Sequence, residues 1–209
     1  SQRYASVCTE TKWRWLKEQR DIKIPNKYST GTVSVTNDTR TVTGSSTTFT
    51  ADMEGRHIKI SGDDQIYKIV AFLSTTSLRL SERFSGPTNS GLAYEIYQSE
   101  FGLYPDCESF DDIWHEHLTP YNVVKPVGPR EYWELVAGSP SEASKARFYT
   151  VDGTKAYEGV PIGQLLVGYD FIGQSNEMKL LIYPRIPDAD YVLHISYVKK
   201  VDYLDSDTS

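Results

Sequence analysis

Thr32-Val33-Ser34-Val35-Thr36-Asn37-Asp38-Thr39-Arg40-Thr41-Val42-Thr43-Gly44 alternates at period two on both sides of an Asn-Asp pair. Valine and threonine suit a pleated, half-buried surface, and Asn-Asp suits a turn. The stretch predicts a β-hairpin with a short Asx-type turn. Its neighbours repeat the theme. His57-Ile58-Lys59-Ile60 and Ile66-Tyr67-Lys68-Ile69-Val70 flank Gly62-Asp63-Asp64, a second hairpin signal. Ser77-Leu78-Arg79-Leu80 and Ala93-Tyr94-Glu95-Ile96-Tyr97 add two strands, with Pro87-Thr88-Asn89-Ser90-Gly91 as the loop between them. Thr50-Ala51-Asp52-Met53-Glu54 reads as one helical turn ended by Gly55. Six short strands with tight turns predict a small β-barrel or sandwich over residues 30–98.

On the N-terminal side, residues 2–20 predict a helix. Tyr4, Val7, Cys8, Thr11, Trp15 and Leu16 fall near one helical face, and Pro25 stops any continuation. Asp21-Ile22-Lys23-Ile24 alternates and suits the start of an extended segment. Trp13 and Trp15 stand two apart and cannot share a helical face, so one is expected to meet a partner or another part of the chain. On the C-terminal side, Ser109 to His115 reads as a strand or an irregular turn. Pro129 to Val136 reads as a short helix with proline at its start. Ala146 to Val151 runs into an Asp152-Gly153 turn, and Glu177 to Tyr183 is a strand closed by Pro184. From Asp190 to Lys199, Tyr191, Leu193, Ile195 and Tyr197 alternate with Val192, His194, Ser196 and Val198. Both sets are at least partly apolar, so this strand is expected to be buried on both faces or to lie at an interface. The expected class is α+β, mainly β. A core of 1–29 and 99–209 carries the N-terminal helix and a second β-rich region with short helices. Residues 30–98 are inserted into it.

The chain has 209 residues, which suits one domain or two small ones at roughly 100–200 residues each. Mean hydropathy is -0.46. The apolar run Leu180–Tyr183 falls far short of the roughly 20 residues of a membrane span. No apolar stretch follows Ser1-Gln2-Arg3, so no signal peptide is expected. Net charge is -6, which argues against general binding of duplex nucleic acid. Residues 1–30 carry +4, residues 31–98 carry -1 and residues 99–209 carry -9. That imbalance reads as a solvated acidic face, or as head-to-tail complementarity between subunits. Cys8 and Cys107 are too few for a disulfide framework, although one bond between them stays open.

Patterns for catalysis are missing. There is no GxSxG, GxxxxGK[ST], HExxH or GxGxxG. On a strand, His115 and His117 would share a face and could bind a metal with Asp111 or Asp112, but no spaced third ligand supports this. Asp63-Asp64, Asp111-Asp112 and Asp188/Asp190 fall in turn-like stretches, where aspartate serves the backbone. The expectation is no enzyme, no cofactor and no metal. Among 15 Tyr and 4 Trp, the strand tyrosines read as core, and Trp13, Trp114 and Trp133 are candidate interface aromatics.

Two longer stretches resemble a known family. Residues 31–86 carry TVTG-x-x-TTFT-x-DM-x-G-R followed by GDDQ-x-Y-x-I. This is similar to a small β-domain of tailed-phage structural proteins, often inserted into head-to-tail adaptor (connector) proteins. Residues 180–209 hold a strand ending in Tyr-Pro, then Pro-Asp-x-x-Tyr-x-Leu-x-Ile-x-Tyr, then Leu before an acidic Ser-Asp. That pattern is similar to the end of the adaptor β-region. ETKWRWLKEQRDIKIP, residues 10–25, resembles the helix-to-strand passage before the insert, and the order of the three pieces agrees. The family's longer N-terminal helical region and its helix after the acidic Ser-Asp have no counterpart in these residues.

The resemblance implies a virion protein of the neck, assembled in the host cytoplasm. It implies a homo-oligomeric ring, commonly dodecameric, docked under the portal protein and offering a platform to the next neck or tail protein. DNA would pass through its channel without sequence-specific binding, and no membrane is involved. An acidic lumen would repel phosphate and let DNA slide, with Asp111, Asp112 and Glu116 as candidates to face it. Charge of opposite sign at two ends of the protomer would help to set the ring contacts. Other classes that fit the residues are a tail fibre or baseplate component with the same β-domain, a carbohydrate-binding module, and a metal-dependent hydrolase at His115/His117.

Overall fold

The computed structural model describes residues 16–102, 107–115, 123–139, 142–152 and 179–199. These form a mainly β protein with three sheets and one α-helix among the described residues. Strand β1 (Lys17–Ile24) pairs with β14 (Tyr191–Lys199) over eight residues, and β10 (Cys107–His115) pairs with the other edge of β14. Strands β11 (Lys125–Pro126), β12 (Phe148–Asp152), β13 (Lys179–Tyr183) and β9 (Glu100–Gly102) form the second sheet in that order. Ile22, Ile24, Ile113, Leu193, Ile195 and Tyr197 of the first sheet pack with Phe101, Tyr149, Leu180 and Ile182 of the second. The other face of the second sheet holds helix α1 (Pro129–Gly138), where Tyr132 and Val136 meet Leu181 and Tyr183. Strand β13 is thus buried on both faces, which accounts for its unbroken apolar run Leu180–Tyr183.

Residues 32–97 build the third sheet. Its order is β7 (Asn89–Leu92), β2 (Thr32–Val35), β3 (Thr41–Ser45), β6 (Ser77–Leu80), β5 (Ile66–Ser74), β4 (His57–Ile60) and β8 (Tyr94–Tyr97). The two outermost strands are successive pieces of one run, separated by Ala93 alone. The sheet therefore curls round until its ends share a segment, which is how small all-β units avoid open edges. Its buried core, including Val33, Val42, Phe49, Ile58, Ile69, Leu78 and Ile96, comes wholly from residues 33–96. Entry and exit of the chain lie side by side, since Tyr28 and Ile96 exchange both backbone hydrogen bonds at 2.8 Å.

Several expectations change. Residues 17–20 belong to strand β1 and not to a helix, because pairing with β14 places Ile22 and Ile24 in the core. Residues 2–15 of the proposed helix, with Trp13 and Trp15, lie outside the described residues. The Pro87–Gly91 loop contains the start of β7, where Gly91 takes φ +68°. The turn after β2 is not of Asx type. Asn37 donates its amide across to the carbonyls of Ser85 and Gly86, while Thr39 N–H and hydroxyl both bond Thr36 O. Ser109–His115 is a strand, Ala51–Met53 is the single turn of 3-10 helix ended before Gly55, and α1 begins at Pro129.

Candidate functional site

Strand β10 decides where the acidic candidates sit. Its register against β14 slips between Phe110 and Asp112, so Asp111 is the extra residue of a bulge. The Asp111 side chain is only 14% exposed and its carboxylate lies 2.6 Å from Lys17 Nζ. It is therefore neutralised by a cation of its own chain. Asp112 is exposed. Glu116 and His117 lie outside the described residues, so the acidic trio is not brought together by anything described. His115 sits opposite Leu193, its ring 5.9 Å from Tyr191. Among the described residues no group of three or more His, Cys, Asp or Glu could hold a metal ion.

The face of the β1-β14-β10 sheet turned away from its core carries a row across three strands. Asp21, His194 and Trp114 are register partners, with Asp21 Oδ1 at 2.7 Å from His194 Nδ1 and the His194 and Trp114 rings 5.6 Å apart. Trp114 is half-buried, and it bridges to Val123, which is 48% exposed. Trp133 stands on α1, 50% exposed, edge-to-face on Tyr132 at 5.2 Å. The two described tryptophan candidates thus occupy separate places, one on the three-stranded sheet and one on the helix.

Residues 17–24 of the basic segment lie directly on β14, and charges of opposite sign are paired inside the chain there and beside it. Lys17 meets Asp111, Lys27 meets Glu95, and Lys199 of β14 meets Glu18 of β1.

No protein-family model, curated protein or solved structure matches this chain. What the molecule offers for function is therefore its own geometry, and the most concentrated chemistry is where the curled sheet meets the rest. Glu100 sits there, 17% exposed, with Oε1 at 3.4 Å from His57 Nε2 and Oε2 at 3.3 Å from Lys68 Nζ and 3.7 Å from Lys179 Nζ. Burial alone would raise its carboxyl pKa, but His57, Lys68 and Lys179 together hold it well below the ordinary carboxylate range. Burial pushes the His57 imidazole below its usual value, with Arg185 and Lys68 adding to the effect and Glu100 opposing it. Tyr97 stacks on His57 at 5.9 Å, and burial raises its phenol. Burial also pushes Tyr132 up to about 12.

Sequence reasoning did not single out this cluster. Its members are spread from position 57 to position 185, and each reads alone as a strand or loop residue. The one available signal was Glu100, a charge set between Tyr97 and Phe101 at the end of the β-insert.

Proposed function

We propose that the chain is a virion structural protein, a head-to-tail adaptor that forms a ring beneath the portal, extends the DNA channel and connects capsid to neck and tail. The supporting observation is the insertion layout. β1 and β14, from opposite ends of the chain, pair over eight residues, and a curled seven-stranded unit leaves and re-enters through neighbouring backbone at Tyr28 and Ile96. That layout agrees with the order of the three resembling stretches. In this reading residues 30–98 are the insert, which projects from the ring toward a neighbouring subunit or another virion protein. Trp133 serves a subunit contact, since a half-exposed indole gains most when desolvated at an interface. The channel-facing role falls to Asp112, because the Asp111 charge is met by Lys17.

Negative-stain electron microscopy of the purified protein, alone and mixed with a candidate portal, tests the reading. Rings, or monomers that become rings only on the portal, are the expected result. Compact monomers indifferent to the portal, or threefold rods, would overturn it and favour a fibre or baseplate role.

A further inference from the structure

Glu100 stands where the chain leaves the seven-stranded unit, and its partners come from both sides of that boundary. His57 on β4 and Lys68 on β5 belong to the unit, and Lys179 on β13 belongs to the other body, the sandwich formed by the β1-β14-β10 and β11-β12-β13-β9 sheets. His57 is 7% exposed. Its Nδ1, and the hydroxyl of the Tyr97 stacked on it, have no hydrogen-bond partner among the described residues. Glu100 from β9, Lys68 from β5 and Arg185 from the segment after β13 are the charged groups acting on the imidazole. Glu95 acts on Tyr97, and Tyr132 from α1 senses Glu100 and Arg185. Apart from Glu100, the charges closest to the imidazole are positive.

We propose that this joint is a proton-operated hinge: acid loosens the seat of the 31–97 unit on the β9–β13 edge while both bodies stay folded. The inference concerns the protomer alone and goes beyond the ring reading. An imidazolium needs hydration or a full complement of acceptors, and this site gives it neither. The Glu100 charge is already shared with Lys68 and Lys179. Opening the joint lets His57 hydrate when it takes up a proton. The two bodies survive because their buried clusters share no residue. The bending points are short, Pro25–Lys27 on entry and Gln98 on exit, before β9 fixes the chain again. Proton linkage lets the open population rise by up to about tenfold for each pH unit below about 6.5.

Pulsed dipolar spectroscopy on the full chain tests this. Labels go on Leu73→Cys at the β5–β6 hairpin and on Arg130→Cys on α1, both exposed sites, with Cys8→Ser and the buried Cys107 left in place. One narrow distance is expected at about pH 7.5, and a broad or second population at about pH 5.5, a unit below the free-histidine value. His57→Gln keeps a donor toward Glu100 but does not titrate, and should stay narrow at both. Glu100→Gln should be broad at both. If that variant does not fold, Lys68→Met replaces it, with broadening at neutral pH expected. A wild-type distribution that ignores pH overturns the hinge, as does equal acid broadening in His57→Gln. Glu100→Gln, or Lys68→Met in its place, with the wild-type distribution does the same. Loss of the far-ultraviolet β signal together with the broadening would show unfolding instead, and would also overturn it.

Discussion

At Gly31 the chain turns into β2 with φ +79°, and a Cβ there would lie 2.4 Å from the carbonyl oxygen of Ser45. Gly31→Ala should therefore cost well over the roughly 1 kcal/mol of the left-handed penalty alone. Gly62→Ala isolates that penalty, since Gly62 takes φ +88° in open space. Thermal unfolding of the two variants should rank them in that order, and equal midpoints would contradict the packing at Ser45. Glu100→Gln removes the anion shared by Lys68 and Lys179, which also faces His57 Nε2, and should lower stability by about 1–3 kcal/mol, less than for a fully buried pair because some exposure remains. The pH dependence has a definite sign. The lowered His57 pKa leaves stability intact above about 6.5 and takes it away as pH falls below that value, by at most about 1.4 kcal/mol per unit. The lowered Glu100 pKa keeps its contribution intact above about 4.5 and loses it only in stronger acid. Denaturant titrations of wild type and His57→Gln between about pH 7 and pH 5 should diverge, the variant being flatter. Single residues were the least legible scale. Asp111 and Asp112 look alike in the sequence, yet a bulge sends one to Lys17 and leaves the other exposed, and no local pattern announces a bulge.

The elements were legible wherever alternation was strict. Thr32–Val35, His57–Ile60 and Tyr191–Lys199 are strands, and β14 buries its apolar face fully and its semi-apolar face in part. Strand β1 misled because Lys17, Glu18, Gln19 and Arg20 are good helix formers. Eight register pairs with β14, and the two isoleucines they bury, outweigh that preference. Strand β7 was missed because Asn89-Ser90-Gly91 has turn chemistry, and it becomes a strand only by pairing with β2. Separate cores make a further prediction at this scale. Ile195→Ala in β14 and Leu78→Ala in β6 each empty a fully buried site and should cost about 2–5 kcal/mol. In calorimetry the first should lower the transition of the sandwich and the second that of the curled sheet. A single transition shifted equally by both would mean that the two bodies unfold as one.

For the whole molecule, the insert is the decisive feature, and its ends say how to remove it. Tyr28 and Ile96 exchange both backbone hydrogen bonds, so their Cα atoms lie about 5.5 Å apart, as in any hydrogen-bonded antiparallel pair. A two-residue turn spans that gap without strain. A chain in which Asn-Gly replaces residues 29–95 should keep β1, β9 to β14 and α1, because none of their core residues comes from the excised stretch. It should also lose stability at one identifiable place. Glu100 would retain Lys179 but lose His57 and Lys68, so adding Glu100→Gln to the shortened chain should cost less than in the full one. Near-ultraviolet circular dichroism and a cooperative melt would report a folded remainder, and aggregation would count against a separable insert. The shortened chain then divides the functional reading. On the proposed adaptor reading, an insert that only reaches outward to a different protein should leave rings able to form on a portal. If it reaches its neighbour in the ring, assembly should weaken while the fold survives.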